Sequence, residues 1–254
     1  MKTLRLVVDV GNTRTKAALF AGGRLVRTGR GASDRTDWLE ALIQDAPLER
    51  VVLGSVGHTN RAILDELAGF APVLVIDYKL DHGMPSIYAT PNTLGIDRLA
   101  NAFALRQLFP GRAALAIDLG TCITCDLVDA TGTYRGGSIS PGMRMRARAM
   151  HEYSAKLPLV EVPDEVPILG RSTAECLASG VYHGIRAELQ GYIAAIGQQH
   201  PGLAVVLTGG DALRFARALE NGIFAHPFLT LLGLHALSLQ ASSGTAGNPA
   251  APRS

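Results

Sequence analysis

The sequence predicts an α/β protein of two lobes, each a mixed sheet flanked by helices and both built on one plan. Three observations carry this. An apolar run from Leu4 to Val10 ends in the turn Asp9-Val10-Gly11, and a second run, 113–119, ends in Asp118-Leu119-Gly120. Each turn leads into a second strand, a glycine-rich turn and a third strand, with Gly22-Gly23 answered by Gly136-Gly137. After each trio, helical and strand patterns alternate. A long internal repeat of this kind constrains the architecture more than any single element does.

Composition agrees. At about 150 residues per domain, 254 residues suggest one large or two small domains. With 47% hydrophobic and 18% charged residues, a disordered chain is excluded. The 24 basic residues nearly cancel the 22 acidic ones, so no field of one sign points to nucleic acid. Three cysteines are too few for a disulfide framework and fit a reducing cytoplasm. No stretch approaches about 18 uninterrupted apolar residues, so no membrane span is expected. Lys2 and Arg5 precede an apolar run that Asp9 interrupts, which suits a strand better than a leader.

Leu4 to Val10 reads as a strand buried on both faces. Residues 15–20 and 24–28 complete an antiparallel meander around Gly22-Gly23. Trp38, Leu39, Leu42 and Ile43 recur at helical spacing, predicting a helix over 36–44 with Asp34 or Thr36 as N-cap. A strand at 51–53, a helix at 62–67 and a strand at 73–76 follow, then an irregular stretch over 77–93. A helix from Ile96 to Leu108 is closed by Pro110-Gly111. In the second half, strands are expected at 113–119, 122–128, 133–137 and 204–207. Helices are expected at 143–154, 173–198, 212–220 and 228–239. The join near Pro110 gives lobes of 1–111 and 112–240, with a ligand cleft expected between them. The small, polar, Pro/Gly-rich tail 241–254 is expected to be disordered.

Each Asp-x-Gly turn has phosphate-binding chemistry. Glycine lets the backbone approach a phosphate closely, and Asn12, Thr13 and Thr121 add side-chain donors. A carboxylate cannot touch phosphate directly, but it can hold a bridging cation. Lys16, on the strand after the first turn, can reach a terminal phosphate. The stretch Thr208-Gly209-Gly210-Asp211 suits the adenosine side of a nucleotide. One such turn alone would be an ordinary β-turn; two in matching positions are not.

Between the halves stands Tyr88-Ala89-Thr90-Pro91-Asn92-Thr93-Leu94-Gly95-Ile96-Asp97-Arg98. Asp97 has the chemistry of a general base for an acceptor hydroxyl, and the Arg98 fork matches a carboxylate. The plain alternative is a pair of ordinary charges in a first helical turn.

The two-lobed pattern resembles the acetate-kinase, sugar-kinase, heat-shock-70 and actin superfamily, which implies ribonuclease-H-like lobes and ATP. More closely, the chain resembles the type III pantothenate kinases over about residues 5–240. The matches are Asp9-Val10-Gly11-Asn12-Thr13 with Lys16, Tyr88 with Pro91, and Leu94-Gly95-Ile96-Asp97-Arg98. They continue with Asp118-Leu119-Gly120-Thr121 and Thr124, Gly136-Gly137-Ser138-Ile139-Ser140-Pro141-Gly142, and Leu157-Pro158-Leu159-Val160. Arg171-Ser172-Thr173, Ser179-Gly180 and Thr208-Gly209-Gly210 complete the set.

The resemblance implies phosphorylation of pantothenate by ATP with magnesium, in a cytoplasmic homodimer that needs neither membrane nor nucleic acid. It assigns Asp9, Val10, Gly11, Asn12, Thr13, Arg14, Thr15, Lys16 and Thr121 to ATP. It assigns Tyr88, Gly95, Ile96, Asp97, Arg98 and Thr173 to pantothenate, Thr173 serving the neighbouring subunit's site. Asp97 would be the base, and Asp118 would ligate potassium or ammonium. Cys122, Thr90 and Ser154 depart from the family's usual alanine, Asp or Asn, and threonine. An accessory regulator of the same family, or a phosphatase or hydrolase of the same superfamily, is the alternative function.

Other signals carry less. Cys122 and Cys125 match Cys-x-x-Cys, but on a strand residues three apart face opposite ways. Arg144, Arg146 and Arg148 read as a solvated or dimer-rim face, His183 as packing or solvated, and Met143, Met145 and Met150 as gap-filling.

Overall fold

A computed structural model of the chain describes residues 3–11, 14–33, 36–44, 46–55, 61–77, 79–80, 82–219 and 223–244. Asn12, Thr13 and the Asp34 N-cap lie outside the described residues. The first elements are β1 (Leu4–Val10), β2 (Arg14–Ala21), β3 (Arg24–Ala32), α1 (Asp37–Ile43), β4 (Leu48–Ser55), α2 (Arg61–Phe70), β5 (Val73–Ile76) and α3 (Ile96–Leu108). A single 3-10 turn, Pro91–Thr93, precedes α3. Then come β6 (Ala114–Leu119), β7 (Cys122–Val128), β8 (Tyr134–Pro141), α4 (Met143–Glu152), α5 (Thr173–Gln199), β9 (Ala204–Thr208), α6 (Ala212–Ala216), β10 (Ile223–Ala225) and α7 (Leu229–Gly244).

The repeat is explicit in the topology. One sheet has the order β3-β2-β1-β4-β5 and the other, read from its far edge, β8-β7-β6-β9-β10. In both, the central strand pairs antiparallel with the next strand of the meander and parallel with a later one. Strands β1 and β6 lie mid-sheet, and Leu6, Val7, Val8, Leu115, Ala116 and Ile117 are all buried, as two covered faces require. Two cores result. Leu6, Val8, Leu19, Val51 and Leu53 pack with Leu39, Leu42 and Leu67 of α1 and α2. Leu115, Ile117 and Ile123 pack with Val181, Ile185 and Leu189 of α5 and Phe215 of α6.

The chain divides into two compact units, and the division is discontinuous. One is Met1–Ala104 with Phe228–Ser254; the other is Leu105–Pro227. The expected linear boundary at 111 and 112 therefore differs from the observed grouping, above all in α7. That helix buries Leu229, Leu231, Leu234 and Leu237 and packs on β1, β2, β4 and β5. Its Leu234 comes so near β4 that a Cβ on Gly54 would lie 2.7 Å away. Its His235 ring stacks on Phe20 of β2 at 4.1 Å, and Thr230 donates to Asn101 Oδ1 of α3 at 2.9 Å.

Other differences are smaller. Helix α7 continues to Gly244, into the tail expected to be disordered, because a helix already formed by buried turns extends readily through alanine and serine. Residues 245–254 lie outside the described residues. Helix α6 stops at Ala216, short of the expected end at 220, and the short edge strand β10 was not anticipated. Arg146 does not join a solvated face: it pairs with Glu188 of α5, while Arg144 and Arg148 are exposed. Cys122 is half-buried and Cys125 buried, as opposite faces of β7 demand. The His183 ring meets the Val166 carbonyl at 3.0 Å. Among the described residues, no helix is long and apolar enough to cross a membrane.

Gly233 sets the approach of α7 to α3, since a Cβ there would collide with the backbone of Ala100. In an unconstrained helix, Gly→Ala gains about 1 kcal/mol. Overpacking against immovable backbone costs about 1–3 kcal/mol. Gly233→Ala is therefore expected to lower the urea midpoint of unfolding, and a raised midpoint would contradict this packing.

Candidate active site

The first turn closes the β1–β2 hairpin. Asp9 stands directly opposite Lys16 of β2 and beside Gly54 of β4. Directly opposed residues share a face of the sheet, so a carboxylate and an ammonium flank the strand end together. Thr15 is buried, Arg14 is exposed, and Val10 and Gly11 are half-buried. A Cβ on Gly11 would lie 3.0 Å from the Arg14 carbonyl oxygen, so the turn is closed tightly on itself. Ser33, after β3, donates to the Gly11 carbonyl at 2.7 Å and ties the meander to this turn.

The second turn closes the β6–β7 hairpin in the other unit. Asp118 stands opposite Thr124 and beside Thr208 of β9, both buried. Three amides fix the turn: Gly120 N donates to Cys122 O at 3.1 Å, Gly142 N to Thr121 O at 3.0 Å, and Asp211 N to Leu119 O at 3.1 Å. Gly209 has φ +92°, and a Cβ there would lie 2.5 Å from Asp118 Oδ1. Thr121 is exposed at the apex. Burial pushes the Asp211 carboxyl above its usual range, against the pull of the Arg214 and Arg144 charges. Among the described residues, the oxygens around the second turn are the Asp118 carboxylate, the Thr124 and Thr208 hydroxyls and backbone carbonyls. Such hard oxygens fit potassium or magnesium rather than zinc or iron. Among the described residues, no group of three or more His, Cys, Asp or Glu could hold a metal ion by itself.

The third group lies at the start of α3. The Gly95 carbonyl accepts the first helical bond, from Leu99 N at 3.0 Å, so the helix begins where the glycine predicted it. Asp97 folds back over this end, and its Oδ1 accepts the Arg98 amide at 2.9 Å. A Cβ on Gly95 would lie 2.5 Å from that same oxygen, so glycine makes room for the carboxylate. Burial pushes the Asp97 carboxyl above its usual range; the Arg98 amide bond and then the Arg98 charge pull the other way, and burial prevails. Arg98 is 5% exposed, with its guanidinium 5.8 Å from the centre of the half-buried Tyr88 ring. Ile96 is buried.

The fold thus gathers Tyr88, Gly95, Asp97 and Arg98 into one group, and Asp9 with Lys16 into another. Thr173 belongs to the second unit, where it is the exposed first residue of α5. Its helix is capped by Ser172, which accepts the Glu175 amide at 3.2 Å. Sequence reasoning missed the contacts of Ser140, Arg146 and Glu188 behind the second turn. Glu188 lies 42 residues from Arg146, and no local spacing marks such a pair.

A family model for type III pantothenate kinases matches residues 5–195. A type III pantothenate kinase of Phocaeicola vulgatus is 42% identical over 234 residues, spanning 91% of this chain and 96% of that relative. One of Bacteroides fragilis is 40% identical over 233 residues, with 91% and 96% covered. Among solved structures, a Campylobacter jejuni protein described as a conserved transcriptional activator of the Baf family matches with TM-score 0.61 at 20% identity, covering 94% of this chain and 99% of that one. That likeness bears on fold alone, and it agrees with the two mixed sheets. The extent and identity of the sequence matches establish that the chain belongs to the type III pantothenate kinase family.

Proposed function

We infer that this chain transfers a phosphoryl group from ATP to pantothenate in coenzyme A biosynthesis, the reaction of its family. The observation that carries the assignment of residues is Asp97, a half-buried carboxylate held above its usual pKa beside the buried Arg98. A base poised nearer neutrality takes a hydroxyl proton more effectively than an ordinary carboxylate. Asp97 receives the proton of the primary hydroxyl as that oxygen bonds to the γ-phosphorus. The bond from phosphorus to the β,γ-bridging oxygen breaks, and ADP leaves.

Arg98 pairs with the pantothenate carboxylate, and Tyr88, Gly95 and Ile96 shape its seat. Asp9, Val10, Gly11, Asn12, Thr13, Arg14, Thr15 and Lys16 hold the ATP phosphates, and Thr121 adds a contact. Magnesium enters with ATP, and a potassium or ammonium ion at Asp118 supplies positive charge when bound. Ile139, Tyr153, Leu159, Ile168 and Leu169 stand exposed on the second unit. These exposed apolar side chains are compatible with the homodimer that the family resemblance implies, in which Thr173 faces the partner's pantothenate. None of the three cysteines is in a disulfide, which fits a cytoplasmic protein.

The deciding assay follows ADP release with pantothenate, ATP and magnesium, in potassium or sodium salt. Release that needs both pantothenate and potassium is expected. Release without pantothenate would favour a hydrolase, and none from folded protein would favour a regulator. Asp97→Asn is expected to cut kcat by about 10²–10⁴ with the fold intact; retained turnover removes Asp97 from its role. In the wild type, kcat falls as pH drops through the raised Asp97 pKa, so its acid limb lies above about pH 4. A rate unchanged down to that pH would contradict the assignment. Asp118→Asn is expected to flatten the response to potassium, and a full response in that variant would sink the cation site. Light scattering is expected to give twice the chain mass; a monomer at assay concentration would overturn the dimer.

A further inference from the structure

Behind the second turn lies a polar group that the reaction described above does not use. Glu188, in the middle of α5, accepts from two donors. Ser140 Oγ, near the end of β8, donates to its Oε1 at 2.5 Å. Arg146 Nη2, from the first turns of α4, donates to its Oε2. Arg146 also donates through Nε to the Pro141 carbonyl at 2.7 Å. One carboxylate on α5 therefore fixes both residues that precede Gly142 and the arginine that follows it.

What is fixed matters because of what it touches. Gly142 donates to Thr121 O at 3.0 Å, and a Cβ there would lie 2.5 Å from that oxygen and overlap Gly120 O. The Gly142 backbone thus packs directly on the turn and is hydrogen-bonded to it. The arginine and glutamate side chains are each 22% exposed. At that exposure the pair adds little net stability once desolvation and screening are counted. Its effect is positional.

We propose that Glu188 is a positioning residue for ATP, holding the Asp118–Thr121 phosphate turn in its binding shape through Arg146, Ser140 and the Gly142 backbone. This rests on the reading that the turn contacts ATP phosphate. Loss of the carboxylate frees Arg146 and Ser140, lets Pro141 and Gly142 relax, and misplaces Thr121. Pantothenate contacts at Arg98 and Tyr88 belong to the other unit and keep their shape.

Steady-state kinetics of the full chain, with thermal unfolding of each variant, test this. Glu188→Ala is expected to lower kcat/KM for ATP by about tenfold to a hundredfold, since small misplacements of a positioning group cost that much. KM for pantothenate is expected to stay within about twofold, and the unfolding temperature near that of the wild type. Glu188→Gln still accepts from Arg146 and can reach Ser140, so it is expected to recover most of the loss. Arg146→Ala is expected to resemble Glu188→Ala, with the double variant no worse than the worse single one, as residues on one path behave. If Glu188→Ala does not fold, Arg146→Lys carries the test, because lysine has one nitrogen where arginine donates from two, Nε to Pro141 and Nη2 to Glu188. Thr121→Val tests the turn itself. If it weakens ATP while folded Glu188→Ala does not, the positioning role is overturned alone. If neither weakens ATP, the phosphate reading of the turn falls, and the proposal with it. An equal loss for both substrates would also overturn it.

Discussion

The second hairpin turn is built under a severe limit of space. A side chain at Gly142 would overlap the carbonyl oxygens of Gly120 and Thr121, and one at Gly209 would lie 2.6 Å from the Leu119 backbone. Only because both positions lack a Cβ can two distant loops close on the same few atoms. Their amides then occupy the turn's carbonyls, so its shape is set by the protein's own hydrogen bonds. Preorganisation of this sort lets a charged ligand be met without reorganising the site. The packing of α4 and α5, the end of β8 and the strand–turn after β9 all serve that arrangement.

The repeat supplies two such turns and makes them chemically unequal. The sheet order and the position of the Asp are shared, while the cross-strand partner differs: Lys16 opposite Asp9, but Thr124 opposite Asp118. One turn therefore carries an ammonium, and the other sits among the hydroxyls of Thr124 and Thr208. An ammonium favours direct contact with phosphate. A carboxylate among hydroxyls and carbonyls favours a weakly bound, hard cation. The two turns share a geometry and differ in the residue that faces each aspartate.

Asp97 and Arg98 show a balance of opposed effects at adjacent positions. The Arg98 amide and the Arg98 charge both favour the carboxylate form of Asp97, yet burial outweighs them. The same low exposure keeps the guanidinium against the Tyr88 ring rather than in water. Both groups are thus less solvated than ordinary surface charges.

Much of this was legible in the chain. The alternation and runs of apolar residues marked β1, β2, β5, β6 and β7 nearly to the residue, and Gly95 and Pro110-Gly111 bounded α3. The Asp, Gly and Arg of each motif were visible because turns and caps are local. Other features depended on contacts between residues distant in sequence. Helix α7 is apolar on most sides, which says that it is buried but not against which sheet, and packing alone joined it to the first unit. Arg146 looked like one of three surface arginines until α5 brought Glu188 to it. The three-residue β10 is too short to leave a periodic signal. The sequence by itself determined most of the elements, the repeat and the candidate residues, because those follow from local conformation and side-chain chemistry. The tertiary structure decided which unit owns the last helix, how closely the loops press on the second turn and which carboxylate braces it, because those depend on backbone contacts that no local pattern encodes.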